Sequence, residues 1–177
     1  MWDLVRLLRA DFQAKAEWCY GERSWRALLR AAAADGSAAM VVYRAAQAAR
    51  HHQCPLLEMA LSKVNSALLG CVIGRGAEFG PGFVLVHANG IVINGAVRGG
   101  AGVKLEHQVT IGAERRQSPT LGDDVFIGAG AKVLGAVHVG SRAKVGANAV
   151  VVHDVAEGMT VVGVPAHPVR SGAPPAA

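Results

Sequence analysis

Residues 121–151 read LGDDVFIGAGAKVLGAVHVGSRAKVGANAVV, and a large apolar residue recurs in them at every sixth position. The same step holds from Ile73 to Val151, where thirteen of fourteen positions are large and apolar and the exception is Arg115. A glycine often follows the apolar residue, and a small residue often lies four positions beyond it. A fixed six-residue period is typical of a parallel β-helix, whereas no α-helix keeps an apolar face on that step. The chain is therefore predicted to be mainly β.

Three hexapeptides per coil would stack residues that lie 18 apart along the chain, one strand spacing from each other. This count places Leu85 under Val103 and His107 above Asn89. It also predicts that residues two past each apolar position point outward. The segment 114–120 is charged and rich in turn formers, and Leu121 resumes the six-residue count. That segment is predicted to be an excursion from one coil that leaves the register intact.

The chain before residue 71 has helical periodicity instead. A first helix is predicted to end at Tyr20-Gly21, a second to span 24–34 with Ser24 as its cap, a third to span 37–51, and a fourth to open at Pro55 and close at Gly70. The third helix is predicted to present Arg44 to solvent. The fourth is predicted to pack an apolar side made of Leu56, Leu57, Met59, Ala60, Val64 and Leu68. We expect a helical domain at 1–70, a β-helix domain at 71–169 and a disordered tail at 170–177.

Composition limits the classes of function. The 177 residues carry a formal charge of +5, but the basic residues are scattered, which argues against a nucleic-acid surface and fits a phosphate-bearing small molecule. Three cysteines without metal-ligand spacing predict neither a disulfide nor a zinc site. No signal-peptide pattern and no apolar run of membrane-spanning length is evident. A cytoplasmic protein without a membrane partner is expected.

Five motifs, in this order, carry a resemblance to a known family: HANGIVI (87–93), VTIG (109–112), GDDVFIGAGAKVLG (122–135), VGSRAKVGANAVVVHDV (139–155) and GVPA (163–166). They resemble the left-handed β-helix acyltransferases, and among these most closely the serine acetyltransferases. The resemblance extends over nearly the whole chain. It implies a left-handed β-helix that transfers an acetyl group from acetyl-CoA to a hydroxyl. No metal is expected, because His87 and His107 are not placed as in a three-histidine zinc site. The resemblance also implies a homotrimer with sites between subunits; whether two trimers pair is left open.

His87 matches the catalytic histidine of that family, and a near-neutral imidazole suits a general base for an alcohol. Its plain alternative is a solvated surface histidine. Glu106, on the adjacent coil, is the candidate carboxylate partner of His87, with a solvent-facing rim charge as the alternative. Hydrogen-bonding side chains that would contact the acceptor are Asn89, His107, Gln117 and Ser118. For His107, a packed corner residue of the coil is the alternative.

The departures from the family pattern concern charge. The positions of the family's acidic residues hold Val72, Val86 and Gly95 here, and its arginine–histidine pair is replaced by Gln117 and Ser118. A desolvated charge left without a partner is costly, so a zwitterionic acceptor fits such a pocket poorly. A saccharide or other polyol acceptor is therefore predicted. Divergent serine acetylation and a non-catalytic trimeric scaffold are the alternatives.

The resemblance also implies a groove in which the pantetheine arm of acetyl-CoA lies close to the main chain. Small residues permit that approach, although each is equally explained as a turn residue of the coil. A basic residue nearby would meet the CoA phosphates. The residues predicted to bind acetyl-CoA are Gly112, Ala113, Gly128, Ala129, Lys144 and Ala147.

Overall fold

The computed structural model describes residues 3–169, so the expected tail at 170–177 lies outside the described residues. These residues form four helices, α1 (Leu4–Tyr20), α2 (Trp25–Ala33), α3 (Ser37–His51) and α4 (Pro55–Leu68). Short strands follow: β1 Val72–Ile73, β2 Glu78–Phe79, β3 Val84–Leu85, β4 Val92–Ile93, β5 Arg98–Gly99, β6 Lys104–Leu105, β7 Thr110–Gly112, β8 Thr120–Leu121, β9 Phe126–Ile127, β10 Lys132–Leu134, β11 His138–Val139, β12 Lys144–Val145, β13 Val150–Val151, β14 Thr160–Val162 and β15 His167–Pro168.

The helices end where the sequence predicts. Gly21 terminates α1 in the left-handed region, with φ 71°, and its N–H donates to the carbonyl of Glu17. Ser24 caps α2 by accepting a hydrogen bond from the Ala27 N–H at 3.2 Å. The fourth helix stops at Leu68, two residues before Gly70.

The strands assemble into three sheets: β1-β4-β7-β10-β13, β2-β5-β8-β11 and β3-β6-β9-β12-β14-β15. Through β13 each sheet takes every third strand, and β14 and β15 extend the last sheet. All pairings are parallel except that of β14 with β15. Each coil thus contributes one strand to each side of a triangular prism. The interior is a continuous stack of buried aliphatic residues such as Ile93, Ile111 and Val133, so the predicted parallel β-helix is confirmed.

The register differs from a uniform 18-residue stack. Ile73 pairs with Ile93 and Ile111 with Val133, offsets of 20 and 22, whereas Val133 pairs with Val151 at the expected 18. The prediction that Leu85 stacks under Val103 is accordingly wrong, because β3 pairs with β6 in a different register.

Two insertions explain this. The chain takes eight residues rather than six to pass from Leu85 to Ile93, and ten rather than six from Ile111 to Leu121. The extra residues amount to one full repeat, so the apolar phase resumes at Leu121 although the coils between have shifted. The six-residue count does not reveal this shift. Each side of a coil buries two apolar residues at positions i and i+2, such as Val103 and Leu105, so a count displaced by two residues still meets an apolar residue.

A buried ion pair fixes the helical region to the first coil. Arg44 and Asp11 are both fully buried, with Arg44 Nε 2.7 Å from Asp11 Oδ2. Arg44 also donates to the carbonyls of Phe79 and Gly80, and Asp11 accepts from the Phe83 N–H at 2.9 Å. The prediction that Arg44 faces solvent is wrong, because α1 covers that side of α3 and supplies its counter-charge.

The prediction for the fourth helix is wrong: the side predicted to pack inward faces solvent, and the other side is buried. Glu58 and Asn65 are buried, and Asn65 Nδ2 donates to the Ala39 carbonyl at 3.4 Å. The predicted apolar side is exposed along its whole length: Leu56, Leu57, Met59, Ala60, Val64 and Leu68. Among the described residues, no helix combines the length and apolarity that a membrane crossing requires.

Candidate active site

The first insertion in the β-helix places His87 outside the regular coil. The Val86 N–H still bonds to β6 at 2.9 Å, and the Gln108 N–H bonds to the Asn89 carbonyl at 2.9 Å. Between these two regular contacts, His87 and Ala88 are the additional residues. His87 therefore lies on a bulge, with its side chain about half exposed at 50%.

Two histidines meet at this bulge. His107 lies above Asn89, as the 18-residue count predicts, because the regular stacking resumes after the insertion. The ring of His87 approaches that of His107 edge-on, with 6.0 Å between centroids. Both rings face the same cleft, which supports the grouping of His87, Asn89 and His107 as one site.

A carboxylate from the helical region reaches His87. Asp35, in the connection between α2 and α3, lies with Oδ2 3.3 Å from His87 Nδ1. Asp35 is 52 residues from His87 in the chain. Sequence reasoning missed this residue because Asp35-Gly36 reads only as a helix stop. Nothing in the local pattern links it to the coil.

A buried lysine lies behind the same connection. Lys15 Nζ donates to the Leu85 carbonyl at 2.9 Å and also to the Asp35 carbonyl. The side chain is fully buried. Burial lowers the pKa of Lys15 to about 8, against the opposing effects of Cys19 and Asp35. Leu7, Asp11 and Lys15 follow one another at intervals of four residues, and this helical spacing could have indicated that Lys15 lies on the same inward face of α1.

The cleft in front of His87 has a volume of about 720 Å³. Its walls come from the α2–α3 connection, the start of α3, the end of α4 and the two histidine rungs. Apolar residues such as Ala39 and Leu69 line the cleft, together with the polar groups of Asp35, His107 and Gln108. A cleft of this size is large enough for a small-molecule ligand.

Glu106 occupies a different position from the one predicted. Its Oε2 lies 3.8 Å from Nδ1 of His107, and it is Asp35 that contacts His87. Burial raises the pKa of the nearby Cys19 thiol, with Lys15 opposing the rise and Glu106 adding to it. Glu106 thus contacts His107 and does not line the cleft in front of His87.

The second insertion forms the predicted excursion. Glu114 and Gln117 close it as a tight turn through reciprocal backbone hydrogen bonds of 2.9 and 2.8 Å. Ser118 Oγ donates to Asn94 Oδ1 at 2.9 Å, at a corner of the prism away from His87. Within one chain, the structure does not bring Gln117 and Ser118 into the cleft.

The small residues predicted to line the acetyl-CoA groove fall at two corners. The Gly130 N–H bonds to the His107 carbonyl and the Asn148 N–H to the Ala129 carbonyl, so Ala129 and Ala147 lie on successive rungs above His107. Gly128 is required there, because a Cβ at that position would lie 2.8 Å from the Ala147 nitrogen. The rungs above the histidines are therefore free of bulky side chains.

The remaining predicted donor contacts lie elsewhere on the prism. Gly112 and Ala113 follow β7, at the corner from which the excursion departs. Lys144 is exposed on β12, where it pairs with Phe126 and Thr160 on the same side as β3 and β6. Within residues 3–169, no three His, Cys, Asp or Glu side chains converge as metal ligands.

Comparison with known proteins agrees with this geometry. Residues 118–153 match the family model described as bacterial transferase hexapeptide (six repeats). A serine acetyltransferase of Helicobacter pylori is 37% identical over 166 residues, which cover 92% of this chain and 91% of that protein. The serine acetyltransferase of Neisseria gonorrhoeae in complex with serine superposes with a TM-score of 0.84 at 33% identity, over 93% of this chain and 68% of that one. A serine acetyltransferase in complex with CoA gives a TM-score of 0.85 at 31% identity, over 94% and 69%.

The fold, the histidine-bearing bulge and the hexapeptide match define an acyltransferase of the left-handed β-helix class. More narrowly, the chain belongs to the serine acetyltransferase family, since a relative at 37% identity is covered almost from end to end.

Proposed function

We propose that this protein transfers an acetyl group from acetyl-CoA to a hydroxyl, with His87 as general base. The observation that carries the proposal is the placement of an exposed imidazole on a bulge, facing a cleft with a carboxylate at its Nδ1. In the step, the acceptor hydroxyl attacks the thioester carbonyl and the carbon–sulfur bond breaks. His87 takes the hydroxyl proton and returns it to the departing CoA thiolate. No covalent intermediate on the protein is needed.

The acceptor that the relatives support is L-serine. Their shared name, and the complex of one of them with serine, favour this alternative over the saccharide or polyol predicted from the missing charges. The cleft also contains a carboxylate, Asp35, that the sequence did not place there. The helical region thus supplies charge that the β-helix lacks, so the charges missing from the β-helix do not by themselves exclude a zwitterionic acceptor.

A polyol acceptor remains a second candidate on one specific observation. Among the described residues that line the cleft, none is a lysine or arginine that would pair with the carboxylate of serine. The polar groups of Asn89, His107 and Gln108 are hydrogen-bonding groups suited to hydroxyls. In a homotrimer, which we propose as the assembly, a neighbouring subunit supplies further side chains.

For the donor, we propose that the pantetheine arm lies along the rungs above His107, past Gly128, Ala129 and Ala147. Support comes from the absence of bulky side chains there and from the relative that binds CoA. Lys144, exposed on β12 three residues before Ala147, would meet a CoA phosphate, whereas Gly112 and Ala113 lie at another corner of the same chain and off this path. The reaction requires no metal in this scheme.

The deciding experiment measures CoA release from acetyl-CoA with L-serine and, separately, with a panel of free sugars and polyols. Serine-dependent release supports the main proposal, and release only with a sugar or polyol supports the second candidate. Calorimetric titration with CoA accompanies the assay. If the protein neither releases CoA with any acceptor nor binds CoA, both candidate functions are overturned and the trimeric scaffold is favoured.

A further inference from the structure

The α2–α3 connection is locked onto the first coil at one point. Gly36 has φ +78°, and a Cβ there would lie 2.4 Å from the Leu85 carbonyl oxygen. Only glycine accommodates both the left-handed conformation and the close approach. On the other side, Lys15 donates to the carbonyls of both Asp35 and Leu85. The backbone of Asp35 is thereby fixed beside Leu85, the last residue of β3, which lies two residues before His87 in the chain.

The ion pair between Asp35 and His87 does not explain this fixed backbone as a source of folding stability. The side chain of Asp35 is 83% exposed and that of His87 50% exposed. Exposed ion pairs contribute little to folding, because water screens them and both side chains lose freedom. A rigid backbone that holds an exposed carboxylate against an exposed imidazole is better explained by orientation of the imidazole.

We propose that Asp35 is the positioning residue for His87. Its Oδ2 accepts the Nδ1–H of the ring, which leaves Nε2 without a proton and turned toward the acceptor hydroxyl. The other nearby carboxylate, Glu106, contacts His107. The position where the family resemblance implies an aspartate is Val72 in this chain, so the helical domain supplies the group that the β-helix lacks.

This inference rests on the proposed function for its kinetic test. Asp35→Asn preserves the shape of the side chain but allows its amide to donate to Nδ1, which favours the wrong tautomer. We expect kcat to fall about 10- to 100-fold while the KM for acetyl-CoA is unchanged. Asp35→Glu restores part of kcat. The matched control is Asp124→Asn, which removes an exposed carboxylate that lies 3.6 Å from Lys104 at a φ of 53° that asparagine tolerates.

A second readout does not depend on turnover. In ¹⁵N-histidine-labelled protein at a pH where the ring is neutral, the Nδ1 and Nε2 shifts report which nitrogen carries the proton; the His87 signals are assigned by their loss in His87→Gln. We expect Nδ1–H in the wild type and a shift toward Nε2–H in Asp35→Asn. If the wild type transfers no acetyl group, the proposed function fails while this measurement still tests the pairing.

Three outcomes would overturn the proposal. One is an unchanged kcat in Asp35→Asn. Another is a raised KM for serine at constant kcat, which would assign Asp35 to the acceptor's ammonium group instead. The third is a tautomer of His87 that is the same in wild type and variant.

Discussion

Lys15 is a residue whose acid–base chemistry is strongly changed by folding. Its ammonium group lies in the interior between the helical region and β3, where two carbonyl oxygens replace water. Two neutral acceptors compensate only part of the lost hydration, so burial lowers its pKa from 10.5 to about 8. The protonated form thus costs folding free energy at neutral pH, and the cost is relieved as the group loses its proton.

This predicts how stability depends on pH. Between about pH 8 and pH 10.5 the unfolded chain binds a proton at Lys15 that the folded chain has released. The free energy of unfolding of the wild type therefore rises with pH relative to Lys15→Met, by at most about 1.4 kcal/mol per pH unit. Urea unfolding of both proteins across this range, at one protein concentration, gives the difference.

The comparison with Lys15→Met is necessary because the thiols act in the opposite direction. Burial raises the pKa of Cys71 to about 12 from 9.0, so its contribution to stability is lost as pH rises. The contribution of Cys71 is present in both proteins and cancels in the difference. Because Cys19 interacts with Lys15 itself, both proteins carry Cys19→Ser. Parallel curves for wild type and variant would show that Lys15 titrates alike in the folded and unfolded chain.

At the scale of elements, the buried Asp11–Arg44 pair joins α1, α3 and the strands of the first coil. Arg44→Met leaves the Asp11 carboxylate buried without its counter-charge, and we expect a loss of about 3–5 kcal/mol of unfolding free energy. In the double variant Asp11→Leu/Arg44→Met the buried charge is gone. Its loss should be smaller than the sum of the two single losses by more than about 1 kcal/mol. Additive losses in urea unfolding would contradict the coupling.

The contact between the α2–α3 connection and β3 allows a matched pair of glycine variants. Gly36→Ala places a Cβ against the Leu85 carbonyl, whereas Gly21→Ala, also left-handed at φ +71°, meets nothing within 4 Å. Both should lose about 1–2 kcal/mol of stability from the conformation itself. Only Gly36→Ala should also lower kcat, because the connection must move and takes Asp35 with it. Equal kcat values in the two variants would show that the position of the α2–α3 connection does not affect catalysis.

The helix boundaries were predictable because capping and turn residues act locally: Ser24, Gly21 and Pro55 each mark an end without help from the rest of the chain. The inward faces of the helices were not. Arg44 looks like a surface residue until α1 is packed beside it with Asp11 in reach. Facing depends on tertiary partners, and these lie more than thirty residues away.

For the molecule as a whole, the six-residue period was sufficient to predict the β-helix but not its register. The two additional residues, His87 and Ala88, shift the strand pairing by two positions. The six-residue count stays apolar through this shift because each side of a coil buries residues at both i and i+2. The predicted base and its neighbours Asn89 and His107 come together in the structure. Asp35 could not be foreseen, since its place depends on how the helical region docks onto the coil.

The proposed homotrimer gives a direct prediction of mass. Sedimentation equilibrium should give three times the chain mass of 18.3 kDa, or six times if two trimers pair. A homotrimer, alone or paired, requires such a multiple of three. A monomeric mass across the concentrations used for kinetics would contradict the proposed assembly.

The most direct test of the central claim is the rate of CoA release from acetyl-CoA by His87→Ala, with L-serine as acceptor. The control is His153→Ala, which removes an exposed histidine on a late rung of the same β-helix. General-base catalysis by His87 predicts a loss of roughly 10²- to 10⁴-fold in kcat, with the control unchanged. Full turnover by His87→Ala would contradict the assignment of His87 as the base.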